Sequence, residues 1–316
     1  LGGSQTSLRL RRPPPLSTPR TAAMTAESGG GGDWSLERFE RGDLLGSGSF
    51  CDVFACTDGK SGMQYAMKVV PKRNGPQDQA VVMEEHCLKR LAESPAVVNL
   101  LCSFDAPLEW IGVLELCEGG ELWAYVKDCG CCLEGEAEWF VAQMVEALAV
   151  VHDAGIVHRD VKCENYLLMP DHRLKIIDLG TARDSQHPEV EPMLLGPQYE
   201  HHVGTPNFMS PEAIHGKSND QRSDLWSLGC AVYQLAIGWP PFDAPTPFLV
   251  MSKAQTGELW MPTSGLADDL RELVRQLLRI EPGARLGAAD GRARAILGHP
   301  FLAHGPDGPP ADTPLA

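Results

Sequence analysis

The run His158-Arg159-Asp160-Val161-Lys162-Cys163-Glu164-Asn165, followed thirteen residues later by Asp178-Leu179-Gly180, constrains this chain more than any other feature. It contains an aspartate able to orient a hydroxyl, a lysine two residues on and an asparagine five residues on. Asp178 adds a second carboxylate for a metal contact. Together these are the polar groups that phosphoryl transfer requires, and a fold of this chain has to gather them around one site.

A motif of this kind can arise by chance, so its weight depends on whether companion parts appear in order. Leu45-Gly46-Ser47-Gly48-Ser49-Phe50-Cys51-Asp52-Val53 lies upstream, and Tyr65-Ala66-Met67-Lys68-Val69-Val70 follows as an alternating, β-branched run that reads as a strand. Glycines let a hairpin backbone approach phosphates closely, and Lys68 at the end of such a sheet would neutralise α- and β-phosphate charge. A Gly-Xaa-Gly hairpin alone is an ordinary tight turn; beside Lys68 and Asp160 it reads as a phosphate cradle. With these parts in order, the chain resembles the eukaryotic protein kinases. The resemblance implies an α+β, bilobal protein kinase fold: a small β-rich N-lobe over about 39–116 and a large α-helical C-lobe over about 117–302. It also implies ATP and Mg2+ as cofactors.

Composition fits that expectation. At 316 residues with 43% hydrophobic content, the chain can bury the core of a two-lobed globule. Its net charge is −15, and residues 1–23 carry Arg9, Arg11, Arg12 and Arg20 with no acid, so the remainder carries about −19. Nucleic acid is a poor partner for such a body, whereas basic peptides suit it. No window of eighteen apolar residues marks a membrane span. Ten cysteines are scattered without a disulfide-like spacing, which points to a reducing compartment: the cytoplasm, with the nucleus as the other setting that would serve. Cys129-Gly130-Cys131-Cys132 lacks a second Cys or His pair at finger spacing, which argues against zinc.

Residues 1–38 are expected to form a disordered tail. Up to residue 33 they are rich in Pro, Arg, Ser, Thr and Gly, and include Pro13-Pro14-Pro15 and Gly29-Gly30-Gly31-Gly32. The Arg-rich, acid-poor start is compatible with an organellar transit peptide, but Met24 reads equally as a natural start, and a translation artefact or a plain tail over residues 1–23 is the favoured reading; residues 303–316 read as a short flexible tail. From Phe39 to about Leu116 the pattern is strands with one helical stretch over Val81 to Leu91; helices dominate from Glu121 onward. One of them spans Glu136 to Asp153, with Phe140, Met144, Ala147, Leu148 and Val151 on one face and Gly155 beyond its end.

The resemblance assigns roles residue by residue. Leu45, Gly46, Ser47, Gly48, Ser49 and Phe50, with Val53 and Ala66, would cover the nucleotide. Glu115 and Cys117 would offer backbone groups to the adenine edge, with Leu114 behind the pocket, Leu167 in the nucleotide site and Glu121 at the ribose. Lys68 would pair with Glu84, the better spaced of Glu84 and Glu85. Leu88 would then face the core near Leu179, and Glu85 would face solvent or the activation segment. Asp160 and Lys162 would act in catalysis, and Asn165 and Asp178 would hold magnesium. Gly204-Thr205-Pro206-Asn207-Phe208-Met209-Ser210-Pro211-Glu212 resembles the substrate-docking segment, with Thr205 touching Asp160 and Lys162 and with Glu212 paired to a buried Arg285. Lys162 further points to Ser or Thr acceptors.

Asp178-Leu179-Gly180-Thr181-Ala182, Ser223-Asp224-Leu225-Trp226-Ser227-Leu228-Gly229-Cys230, Tyr233-Gln234-Leu235, Gly238-Trp239-Pro240-Pro241-Phe242 and His299-Pro300-Phe301 narrow the resemblance. They are similar to the AGC group, and within it to the phosphoinositide-dependent protein kinases, over Phe39 to Leu302. Protein substrates with Ser/Thr acceptors follow, among them the activation loops of other AGC kinases. No lipid-binding domain is seen after Phe301. Cys51, Cys163 and Leu179 replace a glycine, a proline and a phenylalanine, and the two cysteines raise a question of oxidative sensitivity.

His201 stands where a phosphorylatable residue is usual in that group, so Glu200 is expected to pair with Arg159 in a form active without loop phosphorylation. Asn74-Gly75-Pro76 is expected to break the short helix that would wall a tail-docking pocket, and Met83 replaces a phosphate-binding arginine there. The competing reading is a catalytically impaired kinase fold acting as a scaffold; such chains lack one of Lys68, Asp160, Asn165 or Asp178, and all four are present. A small-molecule kinase is the third reading, against which stand the Gly204-Thr205 segment and the placement of Glu121 and Glu164 to attract basic side chains.

Overall fold

The computed structural model describes residues 34–48, 51–73, 76–130, 132, 134–188, 190, 204–216, 219–289 and 292–303. The N-terminal half is built on five antiparallel strands, β1 (Phe39–Ser47), β2 (Asp52–Asp58), β3 (Gln64–Pro71), β4 (Leu100–Asp105) and β5 (Glu109–Glu115), in the order β1-β2-β3-β5-β4. Helix α1 (Pro76–Arg90) lies between β3 and β4 in the chain. It begins five residues before the expected Val81. A proline at a helix start carries a pre-set φ and no needed N–H, so Pro76 opens the helix, while Asn74 and Gly75 fall outside the described residues.

The expected tail boundary at residue 38 moves back. Leu36–Arg38 forms a 3-10 turn, and the Arg38 guanidinium donates to both oxygens of the buried Asp58, at 2.5 and 2.6 Å. A carboxylate taken out of water requires such a partner, and composition gave no sign of it. The remainder of the expected N-terminal tail, residues 1–33, and the C-terminal residues 304–316 lie outside the described residues.

After β5 the chain is helical: α2 (Leu122–Cys129), α3 (Glu134–Asp153), α4 (Pro211–Ile214), α5 (Gln221–Ile237), α6 (Pro247–Thr256) and α7 (Asp268–Leu277). Two short antiparallel strand pairs complete it, β6 (Ile156–Val157) with β9 (Arg183–Asp184) and the hairpin of β7 (Tyr166–Leu168) with β8 (Leu174–Ile176). Phe140, Met144, Ala147, Leu148 and Val151 of α3 are all fully buried, as the apolar stripe requires. Gly155, at φ +76°, turns the chain from α3 into β6; a side chain there would strike Gln186. Helix α5 is buried around its whole circumference from Ser223 to Leu235, the mark of a central core helix. Small β-rich and large α-helical halves thus form the bilobal α+β fold.

Candidate active site

Strand register builds the first half of the site. Val53 lies opposite Lys68, Gly46 opposite Val53, and Ala66 opposite Leu114. Directly opposed residues, and residues two apart on one strand, share a face, so Val53, Ala66, Lys68 and Leu114 all project from the same side of the sheet. Lys68 also faces Gly112, above which the Trp110 ring leaves no room for a Cβ. From this position Lys68 Nζ donates to both Glu84 oxygens, at 2.7 and 2.6 Å, and lies 3.8 Å from Asp178 Oδ1. Burial works against both charges and pushes the Glu84 carboxyl upward. At Lys68 the attraction of Glu84 and Asp178 outweighs burial and holds the ammonium above its ordinary range.

Helix α1 sits against the turn after Asp178: Ala80 lies 3.5 Å from the position a Gly180 Cβ would take. Leu88 and Leu179 are both buried in the one large core cluster. Glu85 does not face solvent or the activation segment. It accepts from Ser103 Oγ (2.8 Å) and Trp110 Nε1 (3.1 Å) and pairs with Lys89, which fastens α1 to β4 and β5. A carboxylate beside two sheet donors is better satisfied there than in water, and burial is outweighed so that its pKa is lowered.

The second half is a closed polar knot. Asp160 Oδ2 accepts from Lys162 Nζ at 2.6 Å, and Asp160 Oδ1 accepts from both the backbone N–H and the hydroxyl of Thr205, each at 2.9 Å. Lys162 Nζ also donates to Thr205 Oγ1 at 2.7 Å, and Asn165 Nδ2 donates to the Asp160 carbonyl at 2.7 Å. Burial opposes the Asp160 charge, but Lys162 and Thr205 prevail and hold it below the usual carboxylate range. Gly204, at φ +113°, fits because a Cβ would lie 2.7 Å from the Arg159 carbonyl. Asp178 takes a left-handed conformation (φ 61°, ψ 66°), which a short polar side chain tolerates better than most.

Of the other expected residues, Leu167 and Glu121 are brought together by a β-bridge, with Glu121 at the N-terminus of α2. Cys117 is buried, Leu45 is exposed, and Gly48 N–H donates to the Cys51 carbonyl (2.8 Å), closing the glycine loop. Ser47 Oγ bonds Asp52 at 2.6 Å. Glu115 uses its side chain structurally, against Lys175 Nζ at 2.9 Å. Ser49, Phe50, Glu200 and His201 lie outside the described residues. Burial raises the thiols of Cys51 and Cys163, which makes both poorly nucleophilic. Met83 is fully buried, away from a cavity of about 190 Å³ on α1 and the sheet that Val70, Val81, Val82 and Trp110 line, with Asp78, Glu85 and Asp105 against one cation, Lys72, among the described residues.

Sequence reasoning treated Asp224 as scaffold and missed what it holds. Its two oxygens accept from the N–H groups of His158 and Arg159, each at 2.8 Å, and one also meets His152 Nε2. Those contacts fix Arg159 in its left-handed conformation, φ 70°. His158 Nε2 reaches the Ile177 carbonyl at 2.9 Å, joining the catalytic loop to the residue before Asp178. The prior signal was an aspartate in the first turn of an otherwise apolar helix.

This arrangement of two lobes, an ion pair on α1 and a polar loop beneath it belongs to one class of protein. The model of the protein kinase domain matches residues 39–302, and the chain belongs to that family. Among relatives, the chain is 33% identical over 252 residues to serine/threonine-protein kinase PKH2 of Candida albicans, covering 78% of this chain and 26% of that protein. It is 31% identical over 269 residues to 3-phosphoinositide-dependent protein kinase 1 of Arabidopsis thaliana, covering 84% and 55% respectively. To the Homo sapiens protein of the same name it is 33% identical over 269 residues, covering 84% and 47%. The chain thus spans about a quarter to a half of these curated relatives.

Proposed function

We propose that this chain is an ATP-dependent serine/threonine protein kinase that uses Mg2+ and transfers the γ-phosphate to Ser or Thr of protein substrates. The observation that carries the reading is the simultaneous closure of both halves of the site, Lys68 on Glu84 and Asp160 with Lys162, Asn165 and Thr205, all at bonding distance. A scaffold under no demand for transfer has no need to hold an ionised carboxylate and an ammonium at 2.6 Å in a half-dry cleft.

Hard oxygen ligands suit magnesium, and Asn165 and Asp178 supply them: the Asn165 nitrogen is committed to Asp160, which leaves its oxygen as the ligand atom. When bound, the metal neutralises phosphate charge. Lys68 adds to that neutralisation and is kept in place by Glu84. Asp160, fixed on one oxygen by Thr205 and on the other by Lys162, orients the acceptor hydroxyl and accepts its proton as the bond to phosphorus forms. Lys162 balances charge on the phosphoryl group in transit. Positioning and electrostatics of this kind supply most of the catalysis in phosphoryl transfer.

The finer reading is a substrate with a basic side chain near its acceptor. Supporting it, Glu164 lies close enough to Glu121 and Asp160 for their charges to act on it, which gathers three carboxylates beside the acceptor site. The activation loops of related kinases are the clients we favour, from the likeness to phosphoinositide-dependent kinases. A cytoplasmic or nuclear setting belongs to the same reading, supported by eight free cysteines among the described residues.

The test is transfer from labelled Mg-ATP to a panel of Ser, Thr and Tyr peptides, with and without basic residues, and to activation-loop peptides. Label on Ser or Thr in basic peptides is expected. Nucleotide binding with no transfer to any peptide contradicts the reading and supports the scaffold; transfer confined to Tyr overturns the acceptor class.

A further inference from the structure

We propose that Asp184 is a positioning residue for transfer: a buried carboxylate that clamps α1 to the strand following Asp178 and so keeps Glu84 on Lys68. The proposal rests on the kinase reading above and identifies what holds its site in register.

Asp184 lies in β9, paired with Ile156 of β6, two residues before His158. Its side chain is wholly buried, an unusual place for a carboxylate that touches neither the site nor the buried Glu212–Arg285 pair. Its partners come from α1. His86 Nε2 lies 2.8 Å from Oδ2, and Arg90 also bonds Oδ2; the second nitrogen of Arg90 donates to Gln186 Oε1 at 2.9 Å. The other oxygen accepts from the Gln186 N–H at 2.9 Å. The His86 ring further meets the ring of His187 edge-on, with centroids 5.2 Å apart. Burial opposes the Asp184 charge, yet His86 and Arg90 hold its pKa below the usual range.

The clamp is anchored beneath as well. Ser185 donates through both its N–H and its hydroxyl to the Gly155 carbonyl, at 3.0 and 2.6 Å. Asp184 is therefore a fixed point of the large lobe, continuous through β6 with the His158-Arg159-Asp160 loop.

Helix geometry gives the arrangement its effect. His86 and Arg90 are four residues apart and share a face. At 3.6 residues per turn, His86 stands about 200° around the helix from Glu84. The helix is thus pinned on two nearly opposite sides, by Lys68 to the sheet and by Asp184 to the large lobe. It cannot roll or swing outward without stranding a buried carboxylate. The charge that secures α1 is part of the fold and does not have to be added to it.

The experiment compares wild type, Asp184→Asn, Asp184→Ala, Arg90→Ala, the Asp184→Ala/Arg90→Ala pair and Asp160→Asn in the full chain. It reads peptide phosphorylation and amide hydrogen exchange by peptide mass. Asp184→Asn keeps the shape of the side chain and serves where Asp184→Ala does not fold. Asp184→Ala and Arg90→Ala are each expected to lower kcat/KM for Mg-ATP about a hundredfold, with the double variant no worse than the more damaged single within threefold. Amides of α1 are expected to exchange faster while those of α5 and α7 keep wild-type protection, a separation that a merely structural residue would not give. Wild-type kcat/KM in Asp184→Asn and Arg90→Ala, unchanged α1 protection, or an equal loss of protection in α5 and α7 would each overturn the clamp. Transfer absent from wild type, or retained by Asp160→Asn, would instead overturn the kinase reading, and the exchange comparison would still decide the clamp.

Discussion

Glu212→Ala should destabilise the large lobe by several kcal/mol, because Arg285 is satisfied in full only while Glu212 is there. The guanidinium has five N–H donors. Two go to the Glu212 oxygens at 2.6 and 2.7 Å, and the other three go to the carbonyls of Arg279, Arg222 and Ile280 at 2.9, 2.7 and 3.2 Å. Its side chain has no exposure to water, and it packs 5.2 Å from the Trp226 ring centroid. Removing the carboxylate forfeits two charge-assisted bonds, worth about 1.5–3 kcal/mol each. It also strands a buried cation, for which the direct expectation is about 3–5 kcal/mol.

The pH dependence of the same variant carries a definite sign. Burial raises the Glu212 carboxyl, but Arg285 and Ser223 pull it below its ordinary value. A depressed native pKa contributes stability that is complete above the unfolded value and is lost as pH falls through the native one. Wild type should therefore lose stability on acidification, and Glu212→Ala should lose less over the same interval. Urea unfolding followed by tryptophan fluorescence at neutral and acidic pH measures both effects, with a constant m-value confirming that the same transition is compared. A loss below about 1 kcal/mol at neutral pH, or an acid limb as steep as that of wild type, would refute the reasoning.

Three further outcomes are expected. Because Lys162 and Thr205 hold Asp160 below the carboxylate range while burial pushes Glu84 upward, the acidic limb of kcat should come from Glu84 on Lys68 and not from Asp160, so Glu84→Gln should lower kcat and flatten that limb; an unchanged limb in Glu84→Gln would contradict this. Gly204→Ala should cost about 1–3 kcal/mol of local strain and raise the peptide KM by pushing Thr205 off Asp160, and an unchanged KM would contradict that geometry. A phosphorylated tail peptide should not stimulate transfer, since among the described residues the cavity on α1 offers it Lys72 alone, already tied to Asp105 at 2.5 Å; stimulation at low micromolar concentration would count against this reading.

How far the sequence reached follows from how each feature is encoded. The Lys68 strand, the glycine loop and the 158–165 run were readable because local spacing and strand alternation fix which side chains meet. The Thr205 and Arg285 contacts followed from resemblance, since their partners are far apart in the chain. Neither route reached Asp184, whose partners lie 94 and 98 residues away in α1, or the contacts Asp224 makes across 65 to 72 residues. Nor did it reach Arg38, which composition assigned to a tail and a buried Asp58 draws into the fold. Glu85 was misjudged because a helical wheel shows which face a residue occupies but not that Ser103 and Trp110 wait beside it.

The most direct measurement is single-turnover transfer of labelled γ-phosphate from Mg-ATP to a basic Ser/Thr peptide by the phosphatase-treated chain, wild type against Asp160→Asn. A burst of transfer by wild type that falls by about three orders of magnitude or more in the variant is the predicted result. Equal transfer by both, or none by wild type while nucleotide still binds, would contradict the account.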